Sequence, residues 1–272
     1  MKSKSNFVIG SCIACLFGLA FALVYMTLAP GATAVAHTAE KSYSWYYKPR
    51  EDGQQPIVAD DASFLDDYNL IYLGDPNSKS IYLTFDSGYE NGYTEKILDV
   101  LKEKNAPAAF FVTGHYMKSN PEIIKRMKDE GHLVCNHTVN HADLSATTDI
   151  ATYQKELDGL CELYQEITGE QMPRFMRPPE GKYSEAMLKI VQEMGYTPVF
   201  WSFAYKDWLN DAQPDTAAAK KTILTRTHPG EIALLHSTSA TNAAVLGEII
   251  DTWRADGYEI HSIEELVSAD AS

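Results

Sequence analysis

The chain has 272 residues, 45% of them hydrophobic and 22% charged, a globular composition with enough length for a sizeable core in one large domain or two small ones. Its 37 acids against 23 lysines and arginines give a formal charge of −14, which leaves no basic stripe for phosphate and excludes nucleic acid as a partner. The four cysteines, two of them in an apolar N-terminal run, imply no disulfide framework.

Lys2 and Lys4 precede an uncharged apolar stretch from Phe7 to Ala29, then Pro30, Gly31 and the small-residue tract ending Ala34-Val35-Ala36. A basic start, an apolar middle and an Ala-Val-Ala ending read as an export segment. Residues 1–36 are therefore expected to be a signal peptide cut after Ala36 or a membrane anchor retained with its basic end inside. Either way the protein is expected outside the cytoplasm, at the cell wall or the membrane. Residues 37–75 are polar and aromatic without a sustained period, and are expected to form an N-terminal extension that wraps onto the main domain.

From residue 76 to 267, short apolar runs alternate with helical patterns, leaving 268–272 as a tail. Strands are expected at Ile81–Phe85, Ala108–Val112, His132–Cys135, Phe175–Arg177, Thr197–Trp201, Ile232–His236 and Tyr258–His261. Helices are expected near 93–104, 121–130, 149–168, 184–194, 215–226 and 241–255, several of them followed by a glycine stop signal such as Gly169. This spacing predicts βα units around a parallel sheet, closed or nearly closed into a barrel. Chemistry on such a fold sits at the C-terminal strand ends. Those ends carry Asp86, His137 with His141, Arg177, Asp207 and His236, a catalytic set more than a binding one. His137 and His141 are four apart, so a helical turn would aim both imidazoles at one divalent ion.

Five segments carry a resemblance to a known family: Thr84-Phe85-Asp86-Ser87-Gly88-Tyr89, His137-Thr138-Val139-Asn140-His141, Arg177-Pro178-Pro179-Glu180-Gly181, Trp201 through Trp208, and Leu234-Leu235-His236-Ser237. In this order they resemble the polysaccharide deacetylases of the NodB-homology type, and within them the sporulation enzymes acting on muramic acid. The resemblance implies a distorted (β/α)7 barrel over 76–267 with an N-terminal extension, and an exported hydrolase removing the N-acetyl group of peptidoglycan muramic acid on the route to muramic δ-lactam in spore cortex. It implies Asp86 as general base, Arg177 as its orienting charge, His236 as general acid and Asp207 as the group that tunes His236 or Arg177. Tyr89, Pro179, Trp201, Tyr205, Trp208 and Leu235 would bind substrate, although aromatic side chains at such spacing serve equally well as core.

The resemblance also implies a divalent metal, zinc or another, on His137 and His141. The family's third ligand is a carboxylate, and this chain has Ser87 there, so the expectation is weakened affinity and a metal that is loosely held or dispensable. Two other readings stay open: a deacetylase of another N-acetylated glycan, such as glucosamine in peptidoglycan or a chitin-like polymer, and a catalytically silent wall-glycan binder. A glycosidase is a further competing reading; it needs two opposed acids, whereas this site offers an acid, a base and two histidines, and reducing-end release without acetate would favour it. A serine hydrolase needs a G-x-S-x-G elbow, and none occurs in the expected domain.

Overall fold

The computed structural model describes residues 41–58 and 63–268. The export segment expected over 1–36 and the end of the chain after 268 lie outside the described residues. In chain order the strands are β1 Tyr43–Ser44, β2 Tyr47–Lys48, β3 Ile57–Val58, β4 Ser80–Ser87, β5 Ala108–Val112, β6 Leu133–Asn136, β7 Phe175–Met176, β8 Lys182–Tyr183, β9 Thr197–Pro198, β10 Phe203–Ala204, β11 Glu231–His236 and β12 Glu259–Ile260.

The main sheet is parallel and runs β10-β11-β4-β5-β6-β7-β9. Its two ends, β9 and β10, are neighbours in sequence. Between them Val199 N–H donates to the Met176 carbonyl on one side and Ser202 N–H to the Ile232 carbonyl on the other. The segment 197–204 thus joins both edges and closes the sheet into a barrel, which removes the exposed edges an open sheet would present. β12 pairs with the foot of β4, on the edge β5 takes higher up. With β9 and β10 counted as one broken strand, six strands surround the axis, and β12 at the foot of β4 makes the seventh of the distorted (β/α)7 expectation.

The strand period of two sorts side chains between two layers. On β4, Ile81, Leu83 and Phe85 face the surrounding helices, whereas Tyr82 belongs to the interior cluster with Phe111, Cys135, Val199 and Ile232. Thr84 and Asp86 share the Tyr82 face, so Asp86 caps the barrel interior at its C-terminal mouth. On β11, Ile232 faces inward and Ala233 and Leu235 outward, which puts Leu234 and His236 at the mouth.

The helices follow the sequence pattern closely: Thr94–Glu103, Pro121–Asp129, Glu185–Glu193, Thr216–Arg226 and Ala240–Ala255. Side chains of Ser184, Asp215 and Ser239 cap the last three by accepting backbone N–H bonds. The expected 149–168 helix is interrupted by a π-helical turn at Gln154–Asp158, and a short helix at Gly114–Ser119 has no counterpart in the pattern. The described part of the extension lies against β8–β10. β1 pairs antiparallel with β8, Trp45 stacks on Phe200 at 4.5 Å between ring centres, and its Nε1 donates to the Trp201 carbonyl at 2.8 Å. Gly181 sits under these rings at φ 65°, where a Cβ would come within 2.7 Å of Trp201.

Candidate active site

A groove of about 1050 Å³ opens at the C-terminal mouth, lined by Asp86, Tyr89, His115, Lys118, His137, His141, Glu180, Trp201, Trp208, Leu234 and His236 among others. Asp86 and His236 are register partners on adjacent strands, which brings residues 150 positions apart in sequence side by side. Around Asp86 the interior supplies charge. Arg177 is fully buried; its Nη1 donates to Asp86 Oδ1 at 2.8 Å, Nη2 to Thr84 Oγ1 at 2.9 Å, and Nε to the Val199 carbonyl at 3.1 Å. Its guanidinium also stacks on Phe111, 4.1 Å from the ring centre. A buried cation held this fully is no surface ion pair: it fixes Asp86. Burial alone would raise the Asp86 pKa, but Arg177, His137 and His236 outweigh it and hold the carboxylate below its ordinary value, so it is ionised at neutral pH.

His137 and His141 do come together, with ring centres 4.8 Å apart, but not on a helical turn. They lie in a loop after β6 whose Thr138 and His141 occupy the left-handed region at φ 64° and 54°. Such conformations cost roughly 1–3 kcal/mol each and persist where the surroundings over-determine them. Here Glu156, on the π-helical turn, accepts from Asn140 N at 2.8 Å and Asn140 Nδ2 at 2.6 Å, while Asn136 Oδ1 accepts from Thr138 N at 2.9 Å. The π turn thus has a local purpose: it aims a buried acid at the histidine loop.

His137 Nδ1 donates to the Arg177 carbonyl at 2.9 Å, which leaves Nε2 with its lone pair facing Asp86 Oδ2 at 3.6 Å. Burial, reinforced by His141, pushes the His137 pKa down to about 4 against the pull of Asp86 and of the bond to the Arg177 carbonyl, so the ring is neutral and the contact is not an ion pair. Two acceptors facing each other call for a donor between them, and a water molecule can give one O–H to each.

His236 is tuned the other way. Its Nδ1 donates to Asp207 Oδ1 at 2.7 Å and its backbone N–H to Oδ2 at 2.8 Å; Asp207 is fully buried. Burial lowers the imidazole pKa, but the bond to Asp207 and the charges of Asp207 and Asp86 more than offset it, so the value stands above the ordinary 6.5. Its other nitrogen is left for the groove. One mouth therefore holds an ionised carboxylate, a neutral imidazole and a protonatable imidazole, the set for base- and acid-assisted attack on a carbonyl with a poor leaving group.

For the expected metal, the two histidines are together but the third ligand is missing. Ser87, at the family's third ligand position, is fully buried and hydrogen-bonded to Ser237 Oγ at 2.7 Å. Among the described residues no cluster of three or more histidine, cysteine or acidic side chains is arranged to hold an ion. The donor set does not fit a three-ligand site.

Among the expected substrate contacts, Tyr89, Trp201 and Trp208 line the groove, the first and last with 42% and 46% of their surface exposed. Leu235 does not: strand alternation turns it into the helix layer, and Leu234 takes its place. Pro179 is buried beneath the groove, while Glu180, at φ 57°, lines it. Tyr205 also lies off the groove, its hydroxyl on Asn242 Oδ1. Residues the sequence reading missed include Thr84 under Arg177, Glu156 under the histidine loop, and Asn242, whose Nδ2 donates to Asp207 Oδ2 at 2.6 Å. Thr84 opens the first motif without a role assigned to it, whereas Glu156 and Asn242 lie outside the motifs and only their buried polar character marks them.

Such a mouth is that of an amide or ester hydrolase, and comparison with known proteins narrows it. The polysaccharide deacetylase profile matches residues 73–199. The chain is 42% identical over 241 residues to the peptidoglycan-N-acetylmuramic acid deacetylase PdaA of Bacillus subtilis, covering 88% of this chain and 91% of that one. A peptidoglycan-N-acetylglucosamine deacetylase of Bacillus cereus is 32% identical over 70% of this chain and 89% of its own. The crystal structure of B. subtilis PdaA, a family 4 carbohydrate esterase, superposes with a TM-score of 0.82 at 41% identity, covering 85% of this chain and 98% of that one. A family 4 carbohydrate esterase from Bacillus anthracis superposes at 0.69 with 42% identity, covering 84% and 97%. The chain belongs to the polysaccharide deacetylase family and is a hydrolase of carbohydrate N-acetyl amide bonds.

Proposed function

We propose that the protein is exported and removes the N-acetyl group of muramic acid in peptidoglycan, on the way to muramic δ-lactam. The observation that carries this reading is 42% identity, over 88% of the chain, to a protein named for muramic acid deacetylation, together with the Asp86–His236 pairing across two strands. Water held between Asp86 Oδ2 and His137 Nε2 gives a proton to Asp86 and attacks the acetamide carbonyl carbon. The His236 imidazolium donates its proton to nitrogen as the C–N bond breaks, so acetate and a free amine leave. Without that proton an amide anion would have to depart. The freed amine then lies beside the lactyl carboxylate of the same sugar, where proximity favours closure to a lactam.

The groove wall supports an anionic sugar over a neutral one. His115 and Lys118 are exposed there and take part in no ion pair among the described residues, in a chain whose formal charge is −14. Lys118 would be the partner of the lactyl carboxylate in a sugar bound along this wall. Export rests on the basic, apolar and small-residue pattern of residues 1–36. Mass spectrometry of peptidoglycan fragments incubated with the enzyme tests the substrate. One acetyl lost from muramic acid, with or without loss of water, is the expected result; loss confined to glucosamine would assign the neighbouring specificity instead.

A further inference from the structure

Asn242, outside every motif of the family, lies in the first turn of the helix Ala240–Ala255 and is buried to 1% exposure. The N-cap Ser239 fixes its backbone by accepting from Asn242 N at 3.1 Å. The side chain makes three bonds. Nδ2 donates to Asp207 Oδ2 at 2.6 Å and to the His236 carbonyl at 3.2 Å, and Oδ1 accepts the Tyr205 hydroxyl. A carboxamide can turn over, and nothing in its shape favours one orientation. The Tyr205 hydroxyl resolves the choice here, because its proton needs an acceptor and only Oδ1 supplies one, which leaves Nδ2 for Asp207.

We infer that Asn242 is a positioning residue for deacetylation, locked by Tyr205, and that it holds the Asp207 carboxylate in the rotamer that serves His236. Asp207 needs both oxygens in place, Oδ1 on the imidazole Nδ1 and Oδ2 on the backbone N–H of the same residue. Asn242 secures the second oxygen, and rotation of the carboxylate away from the ring would cost its bond to Asn242. Tyr205 thereby gains a role in catalysis at one remove from the groove. The inference rests on His236 acting as the proton donor to the leaving amine. The charged or titratable groups acting on His236 are Asp207, Asp86 and Arg177, and Tyr205 is the titratable neighbour of Asp207.

The test compares Asn242→Ala, Tyr205→Phe and the double variant of the full-length enzyme, assayed by acetate release from muramic-acid-containing glycan. Asn242→Ala should lower kcat by about tenfold or more with little change in KM, since the side chain does not touch the groove. The alkaline limb of its pH–rate profile should move to lower pH. Tyr205→Phe keeps the ring and deletes only the hydroxyl, so it should fold, and should shift kcat and the limb in the same direction by a smaller factor. The double variant should be no worse than Asn242→Ala alone, because the hydroxyl acts only through the amide. Multiplying effects, a rise in KM in place of a fall in kcat, or an unmoved limb in both single variants would overturn the inference. If Asn242→Ala does not fold, Tyr205→Phe decides by the same two readings. A wild-type enzyme inactive on muramic glycan would count against the proposed substrate alone; the same variants assayed on glucosamine glycan then support the inference by a fall in kcat with a moved limb, or overturn it by the absence of both.

Discussion

Asp207→Asn is the substitution whose consequence the geometry defines most closely. Asp207 accepts three bonds, from His236 Nδ1, His236 N and Asn242 Nδ2. An amide of the same shape has one oxygen and one NH2 group. If its oxygen stays on His236 Nδ1, the NH2 meets two donors; if it turns over, the NH2 meets Nδ1 and forces the ring to carry its proton on the other nitrogen. Either orientation loses at least one charge-assisted bond, worth about 1.5–3 kcal/mol, and removes the charge that holds His236 above its ordinary pKa. At 1.36 kcal/mol per tenfold, kcat/KM near neutral pH should fall roughly 10- to 150-fold. The imidazolium should also be lost earlier as pH rises, so the alkaline limb of the profile moves to lower pH. The acid limb, set by Asp86, should stay where it is. A pH–rate profile of acetate release reads both limbs. An unmoved alkaline limb, or an unchanged rate at neutral pH, would refute the proton-donor role of His236 and its dependence on Asp207.

Other substitutions probe other parts of the site and fold. Lys118→Gln should raise KM for muramic-acid-containing glycan several-fold and leave KM for a neutral N-acetylglucosamine oligomer unchanged, checked by steady-state kinetics on both. Ser87→Asp should supply the missing carboxylate and tighten Zn²⁺ binding at least about tenfold in calorimetric titration. Equal affinity in the two proteins would contradict the reading of Ser87 as the weak point. Glu231 is fully buried, and burial raises its pKa well above the ordinary 4.5. Because the folded form binds the proton more tightly, its contribution is fully present below 4.5 and is lost as pH rises through the raised value. Glu231→Gln keeps an acceptor for His228 N–H and should therefore stabilise the protein increasingly above pH 4.5, read as Tm against pH.

Much of the barrel was legible because parallel strands covered on both faces are short continuous apolar runs, and β4, β5 and β11 are of that kind. Their C-terminal ends led directly to Asp86 and His236, and alternation brings the two together without further assumption. Leu235 was misplaced because a continuous apolar run conceals which residues face in; Leu234 and Leu235 are equivalent by composition and opposite by register. The histidine pair was correctly joined for the wrong reason, since spacing of four suggested a helix where two left-handed residues, a buried glutamate and an asparagine make a loop. Tyr205 read as a groove residue because an aromatic beside Asp207 suits a sugar, yet its hydroxyl turns inward to Asn242. Glu156 and Asn242 carry no local signal, and Thr84, although it opens a motif, gives no sign of its partner Arg177, because each acts across the fold on a residue from another βα unit or loop.

Acetate release by Asp86→Asn, measured beside glycan affinity on the same protein, tests most directly whether Asp86 and His236 act on one amide. The amide oxygen can still accept from Arg177, so the fold and the groove survive, while the group that takes the proton from water is gone. Turnover should fall by roughly 10²–10⁴-fold with the glycan Kd nearly unchanged. Turnover close to that of the wild type would contradict the role given to Asp86, and a loss of affinity equal to the loss of rate would make it a binding group instead.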